Sequence, residues 1–302
     1  MIDHRTPPAR GPGPGEAPSC EICGTRVDPW PIAPGCWLWR CPSCDHVMRD
    51  LDLCWANARE HAWGGDAGFD RIRTKLTTRS LLSVIPNRGP LDVLEIGFGQ
   101  GLLLSAFLER GHRVSGIDPG MLERGVDESL RTRATLYAAP AEGVDLPAGS
   151  FDLVFGVHVI EHLKDPAAVF ASCERALRPG GLAYFMTPNA GSRGLELFRD
   201  AWWNLEDPTH IRFFSRRSIS IALQAAGFER VLTRIPRWDS LSLEISSLLR
   251  RLRRESGPHG VLSSKATMPL YAGLMPVAIT ARALWPALSP SMEVLGLKRP
   301  TQ

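Results

Sequence analysis

The sequence predicts a doubly wound α/β sheet of seven strands, Rossmann-like, with a small cysteine-rich module in front of it and a helical insertion before its last strand. Three observations predict this. From Leu91 onward, short apolar runs alternate in order with helical patterns. A glycine loop, Gly97-Phe98-Gly99-Gln100-Gly101, joins the first such run to the first helical pattern. Four of the seven cysteines fall as two Cys-x-x-Cys pairs near the front of the chain. At 302 residues the chain is long enough for one large core with small appendages. Its 44% apolar and 22% charged content excludes wholesale disorder and a polytopic membrane protein. The net charge of +3, carried by 31 Arg and only 4 Lys, does not describe a polyanion-binding surface, so no nucleic-acid partner is expected.

Residues 1–18 interleave Pro7, Pro8, Pro12, Pro14 and Pro18 with Gly11, Gly13 and Gly15, and read as a disordered tail. No apolar signal core stands in this stretch, and cysteines without an evident disulfide plan suit a reducing compartment, so a cytoplasmic location is expected. The cysteine module, 19–50, holds Cys20-x-x-Cys23 and Cys41-x-x-Cys44, separated by 17 residues that include Gly24, Gly35, Trp30, Trp37 and Trp39. Two knuckles at this spacing close the four positions around one tetrahedral ion, which predicts a zinc ribbon of structural type with no open coordination position. His46 and Cys36 stand close enough in sequence to substitute as ligands. Cys54 and Cys173 read as ordinary buried thiols. A helical linker and N-terminal helix are expected over 51–90.

The core is expected over 91–237. Its first strand, Leu91 to Ile96, carries Glu95 two positions before Gly97, and the helix after the loop begins at Leu102. Glycines belong in such a loop because it must turn tightly and bring backbone N–H groups against a bound ligand. The second strand, His112 to Ile117, ends in Asp118, about 20 residues beyond the loop, where an acid accepts ribose hydroxyls. Further strands are expected at 134–138, 151–155, 182–186 and 228–235, with a helix over 166–177.

These residues closely resemble the class I methyltransferase superfamily, in the branch that includes ubiquinone-biosynthesis O-methyltransferases and zinc-ribbon-bearing bacterial sugar methyltransferases. The resemblance spans about 91 to 235 and rests on Glu95-x-Gly97-x-Gly99-x-Gly101, Asp118, Ser150 to Val154, Val159 to Leu163, Leu177 to Gly181 and Thr187-Pro188-Asn189. It implies S-adenosylmethionine as cofactor, with Glu95, Gly97, Gly99 and Gly101 holding the methionine portion, Asp118 the ribose, and Ala141-Glu142 the adenine edge. One position departs: where many relatives place Asp two residues before Glu142, this chain has Pro140.

Methyl transfer to a hydroxyl needs a base or a metal. His158, Glu161 and His162 are spaced to share one face of a helical turn just past the fourth core strand. Relatives that chelate a divalent metal carry Glu-x-x-Glu-His with a later His. Here His158 stands in the first position and His210 follows the fifth strand, so Glu161, His162 and His210 form a candidate second metal set. Three roles stay open: a base at His158 or His162, this divalent ion, or structural side chains. Trp202, Trp203, Phe213 and Phe214 read equally as acceptor pocket or core.

The helical insertion is expected over 238–290, with the closing strand in 291–302. Its first half places Leu241, Ile245, Leu248, Leu249 and Leu252 on one face and Arg250, Arg251, Arg253 and Arg254 near its end. Its second half is apolar but interrupted by Pro269, Pro276, Pro286 and Arg282, which argues against crossing a bilayer. A packed cap, peripheral membrane contact through 240–290 and a dimer surface remain open, as does the oligomeric state. The expected activity is methyl transfer to oxygen of a small-molecule, glycan-precursor or lipid-linked acceptor. C-methylation of a sugar nucleotide and a catalytically silent cofactor-binding partner are the alternatives.

Overall fold

The computed structural model describes residues 12, 17–54, 56, 67–85, 89–120, 126–236, 241–253 and 268–301. The expected tail thus lies outside the described residues save for three positions, as do Arg254 and much of the 51–66 stretch. Two compact units emerge, each gathered from separate segments: one from described residues of 67–187, 220–234 and 293–302, the other from those of 1–66, 188–219 and 235–292.

The first unit is built on a seven-stranded sheet. In chain order its strands are β4 (Asp92–Ile96), β5 (Arg113–Ile117), β6 (Thr135–Tyr137), β7 (Phe151–Val157), β8 (Leu177–Pro188), β10 (Arg230–Arg234) and β11 (Ser291–Leu297). They lie in the order β10-β11-β8-β7-β4-β5-β6. The pairs β6–β5, β5–β4, β4–β7 and β7–β8 are parallel, and β10 runs antiparallel to β11, so the sheet is mixed at one edge. The central strands are near-continuous apolar runs because helices cover both faces. On one face α1 (Ala67–Val84), α2 (Leu102–Leu108) and α3 (Glu128–Arg133) contribute Leu81, Leu104, Phe107 and Leu130 against Val93, Leu153, Phe155 and Tyr184. On the other, Phe170 of α4 (Pro166–Ala176) stacks on Phe185 with ring centroids 5.4 Å apart. Truncating a fully buried ring such as Phe107 to Ala would cost roughly 3–5 kcal/mol.

Two features fasten the strand starts. Arg178 donates Nη1 to Asp152 and Nη2 to Asp92, both at 2.8 Å, while Arg113 pairs with the same Asp92. Four strands are thereby tied at one end of the sheet. Next to them β8 carries a bulge: Phe151 pairs with Leu177 but Leu153 pairs with Leu182, so Arg178-Pro179-Gly180-Gly181 bulge out opposite Asp152. A Cβ at Gly181 would lie 2.8 Å from the Arg178 carbonyl oxygen, which explains the glycine. Residues 178–181, between the helix and strand expected from the sequence, are therefore an irregular part of the strand itself.

The second unit carries a four-stranded sheet in the order β1 (Asp28–Ala33), β2 (Cys36–Arg40), β3 (Val47–Met48), β9 (Arg212–Phe213). Its apolar core joins Ile32, Leu38 and Val47 to Leu195, Phe198, Trp202, Leu205 and Phe213, including residues of α5 (Arg193–Phe198). Trp202 and Phe213 are core, with ring centroids 5.2 Å apart. Ser215 donates its hydroxyl to the Cys44 carbonyl at 2.6 Å, and Arg212 forms a two-pronged pair with Glu21. Helix α6 (Arg216–Ala225) leads from this segment back toward β10.

The insertion forms α7 (Leu241–Arg253) and α8 (Met268–Leu284). Of the expected leucine stripe on α7, Ile245 and Leu249 are buried against Leu274 and Ala278, whereas Leu248 and Leu252 are exposed. Nor are all its arginines surface charges. Arg250 pairs with Glu206, and both are largely buried. Arg282 of α8 is buried on Glu244 of α7, so the one charge in the apolar second half locks the two helices together. Among the described residues no helix is long and apolar enough to cross a membrane.

Candidate active site

The carboxyl ends of β4, β5 and β7 converge on the glycine loop. Gly97 (φ +72°) and Gly101 (φ +77°) hold left-handed backbone that side chains rarely adopt. Space excludes a side chain as well. A Cβ at Gly97 would sit 2.7 Å from Cγ2 of Val159, and one at Gly101 would collide with Cδ2 of Leu130. The Gly97 N–H donates to the Ile117 carbonyl at 2.7 Å, closing the loop onto β5.

Asp118, just past β5, is buried, and each of its carboxylate oxygens accepts one backbone N–H: Oδ2 from Gly99 at 3.0 Å and Oδ1 from Gly120 at 3.2 Å. Each oxygen keeps a further acceptor position. Glu95 points into the interior at 3% exposure. Burial drives its carboxyl well above the usual carboxylate range, and the nearby Asp118 charge adds to this. Its Oε2 has no hydrogen-bond partner among the described residues. A buried acceptor left in this state costs free energy that a bound donor would recover. The pair therefore fits a ligand that brings an ammonium group and a ribose diol. Ala141, buried, opens a short 3-10 turn ending at Gly143. Glu142 is exposed, and its Oε1 accepts the N–H groups of Lys164 (2.8 Å) and Asp165 (3.3 Å) just before α4.

Beyond β7 the chain does not form the expected helical turn. His158 takes a left-handed conformation (φ +53°) and donates its N–H to the Met186 carbonyl at 2.8 Å, extending the pairing with β8. A tight turn follows, with the His162 N–H donating to the Val159 carbonyl at 3.0 Å. His158 and Glu161 still meet: Nδ1 lies 3.4 Å from Oε1 of the fully buried Glu161. Thr187, part of the Thr187-Pro188-Asn189 motif but given no role by the sequence, donates its hydroxyl to Oε2 of the same carboxylate at 3.1 Å. A strained, non-glycine histidine held from both sides is a common mark of a working site. His162 is half-buried. His210 belongs to the second unit. There its Nδ1 donates to the Asn204 carbonyl at 2.8 Å, which fixes the tautomer, and its Nε2 lies 3.9 Å from Asp207 Oδ2.

The four knuckle sulfurs form the second site. Cys20 and Cys44 are 3.6 Å apart, Cys23 and Cys41 3.4 Å, and all four lie within 4.8 Å of one another. Tetrahedral bonds of ~2.3 Å place thiolates about 3.8 Å apart, so the residues fit one ion. The knuckles also match each other. Gly24 and Asp45, each directly after the second cysteine, are both left-handed, and their N–H groups return to the carbonyls of Cys20 and Cys41 at 2.9 Å. His46 is occupied elsewhere, with Nε2 on Glu21 (2.7 Å) and Nδ1 on Ser218 (3.3 Å), and Cys36 lies outside the four-sulfur group.

A family model described as a methyltransferase domain matches residues 69–233, more than half of the chain. The ubiquinone biosynthesis O-methyltransferase of Pseudomonas entomophila (strain L48) is 36% identical over 107 residues, covering 32% of this chain and 44% of that protein. The same-named protein of Hahella chejuensis (strain KCTC 2396) is 37% identical over 140 residues, covering 42% and 56%. The chain thus spans about half the length of these curated relatives. Among solved structures, an S-adenosylmethionine dependent methyltransferase from Mesorhizobium loti shares 20% identity, 73% of this chain and 96% of that one, at a TM-score of 0.50, which is a likeness of fold.

Proposed function

Since the chain belongs to the class I S-adenosylmethionine-dependent methyltransferases, we propose that it methylates an oxygen of a small-molecule acceptor, with His158 as the base. The observation that carries this reading is the chain of contacts Thr187–Glu161–His158 at the carboxyl end of β7. Glu161, held by Thr187, sets Oε1 3.4 Å from Nδ1 of His158, near enough for its charge to favour a proton on Nδ1. This leaves the lone pair on Nε2, the atom that would take the acceptor's proton. Bound S-adenosylmethionine supplies a methyl group on an electrophilic sulfonium, so positioning and exclusion of water supply most of the remaining rate. Glu95 and the loop Gly97, Gly99 and Gly101 would hold the methionine portion, Asp118 the ribose, and Ala141 and Glu142 the adenine side. Cys20, Cys23, Cys41 and Cys44 would hold a structural zinc, outside the chemistry.

A lipid-linked acceptor, met by peripheral contact with a membrane, is supported by one observation. The exposed described side chains of α8, among them Leu270, Val277 and Leu284, include no charged residue. A divalent ion held by Glu161 and His162 is the competing route to an activated hydroxyl. The test is a rate–pH profile on wild type and His158→Gln with chelator added, together with calorimetry of S-adenosylmethionine on wild type and Asp118→Ala. Loss in His158→Gln of the low-pH limb, over which the rate rises with pH, with cofactor affinity intact and no chelator effect, supports the base. Chelator-sensitive activity restored by magnesium or manganese supports the ion. A methyl–carbon product identifies C-methylation instead, and no heat with either cofactor or its demethylated product overturns the enzyme reading of this site.

A further inference from the structure

Cys36 and Cys54 belong neither to the knuckles nor to the proposed cofactor site, yet their surroundings are built. Cys36 opens β2, and Cys54 ends the loop after β3. The Trp37 N–H donates to the Leu53 carbonyl at 2.9 Å, which holds the two segments side by side. Both thiols are buried, at 8% and 2% exposure, in one apolar cluster, each one residue beyond that backbone hydrogen bond, and each perturbs the ionisation of the other.

Beside them lies Arg49, 6% exposed. Its guanidinium donates to three carbonyl oxygens, those of Cys54 (2.7 Å), Asp207 (2.9 Å) and Leu205 (2.9 Å). These are neutral acceptors, and a buried cation is stabilised by a negative one. The Cys54 sulfur, on the residue whose carbonyl Arg49 holds at 2.7 Å and whose ionisation the guanidinium favours, is placed to be that anion. The hydrogen bond from Cys36 holds the Cys54 thiol below its ordinary range against the effect of burial, and Arg49 reinforces it. Cys36 is pushed the opposite way, first by Cys54 and then by burial. Asp200 opposes ionisation at both. Of the two, Cys54 is the sulfur favoured to ionise and attack, and Cys36, on the neighbouring segment, is placed to resolve.

We infer that Cys36 and Cys54 are a redox modification site, closing to a reversible disulfide with hydrogen peroxide as oxidant. The Cys54 thiolate attacks one peroxide oxygen, the O–O bond breaks, and hydroxide leaves and is protonated to water. The Cys36 thiol then attacks the resulting sulfenic sulfur. The S–S bond forms, and the sulfenic oxygen leaves with the Cys36 proton as a second water. Burial restricts access to an oxidant of peroxide size. The disulfide would close the loop 36–54, which contains Cys41 and Cys44, and so would brace the second knuckle from its base.

The experiment uses the full chain carrying about one zinc per molecule. It is titrated with hydrogen peroxide, and samples are acid-quenched, alkylated with a light label, reduced, relabelled heavy and mapped by mass spectrometry, with zinc release followed by a chromogenic chelator. Cys36 and Cys54 are expected to pass together into the heavy-labelled pool before zinc is released, and to return with dithiothreitol. Cys173, fully buried and pushed up to about 12, serves as the inert reference. In Cys36→Ala, dimedone should capture a sulfenic acid at Cys54. The inference is overturned if the knuckle cysteines oxidise and release zinc while Cys36 and Cys54 keep the light label. Oxidation of Cys36 undiminished in Cys54→Ala would overturn it equally.

Discussion

Replacing Gly97 by Ala tests whether the glycine loop and the turn after β7 are one mechanical unit. Two costs are expected. The left-handed backbone at φ +72° opposes a Cβ by roughly 1–2 kcal/mol. The new methyl would also stand 2.7 Å from Val159 Cγ2, an overpacking penalty of about 1–3 kcal/mol. Val159 has little room to retreat, because a Cβ at Gly156 would lie 2.5 Å from its other methyl: the isopropyl group fills a slot between two residues that lack side chains. The sum, about 2–5 kcal/mol, is a large part of an ordinary domain's stability. Urea unfolding of Gly97→Ala, Val159→Ala and the double variant separates the two costs. Trimming Val159 should remove the overpacking but leave the backbone penalty, so the double variant should be about 1–3 kcal/mol more stable than additivity allows. Additivity within about 0.5 kcal/mol would refute the slot as the reason for glycine, leaving backbone conformation alone.

The other expectations are briefer. His158→Gln should lower kcat by about 10²–10⁴-fold while calorimetry shows unchanged cofactor affinity, as a base requires; an equal loss in cofactor binding would point to a structural part. Because burial holds the Glu95 carboxyl above its usual range, the apo protein should carry it partly protonated, and binding an ammonium group should release that proton. Calorimetry of S-adenosylmethionine in buffers of different ionisation enthalpy should then give different heats, a dependence that Glu95→Gln abolishes. His112 Nδ1 accepts the Leu91 N–H at 3.1 Å, and burial, then Arg110, lowers its pKa below the usual 6.5. The unfolded chain therefore takes up the proton first, so stability should fall as pH drops below about 6.5. His112→Asn should flatten that limb in thermal unfolding. Cys41→Ser should lose the metal and loosen the four-stranded sheet, read by elemental analysis and proteolysis, while β4–β8 stay folded.

How far the sequence can be read depends on whether the cause is local. Glycines at 97 and 101, the acids at 95 and 118 and the knuckle cysteines carry their constraint in their own spacing, and the structure brings the four sulfurs within 4.8 Å of one another and the Gly99 N–H onto Asp118. The His158 turn shows where spacing misleads. A separation of three and four residues suggested a helix, but the backbone of His158 is taken by Met186, a partner 28 positions away whose pull no periodicity records. The same holds for Thr187 on Glu161 and for Arg212 and Glu21, 191 residues apart. On α7, Leu248 and Leu252 fit the helical stripe as well as Ile245 does, yet they are exposed while Ile245 and Leu249, packed on Leu274 and Ala278, are buried.

The charged tie of Asp92, Arg113, Asp152 and Arg178 has a bearing on how such a chain can change over generations. It clamps the strand starts with side chains that touch nothing at the opposite, ligand-facing rim. Loops at that rim can lengthen, shorten or exchange without loosening the clamp, so the acceptor pocket is free to drift while the frame stays registered. Hydrogen exchange would show this as a gradient along each strand, with the slowest amides beside the clamp.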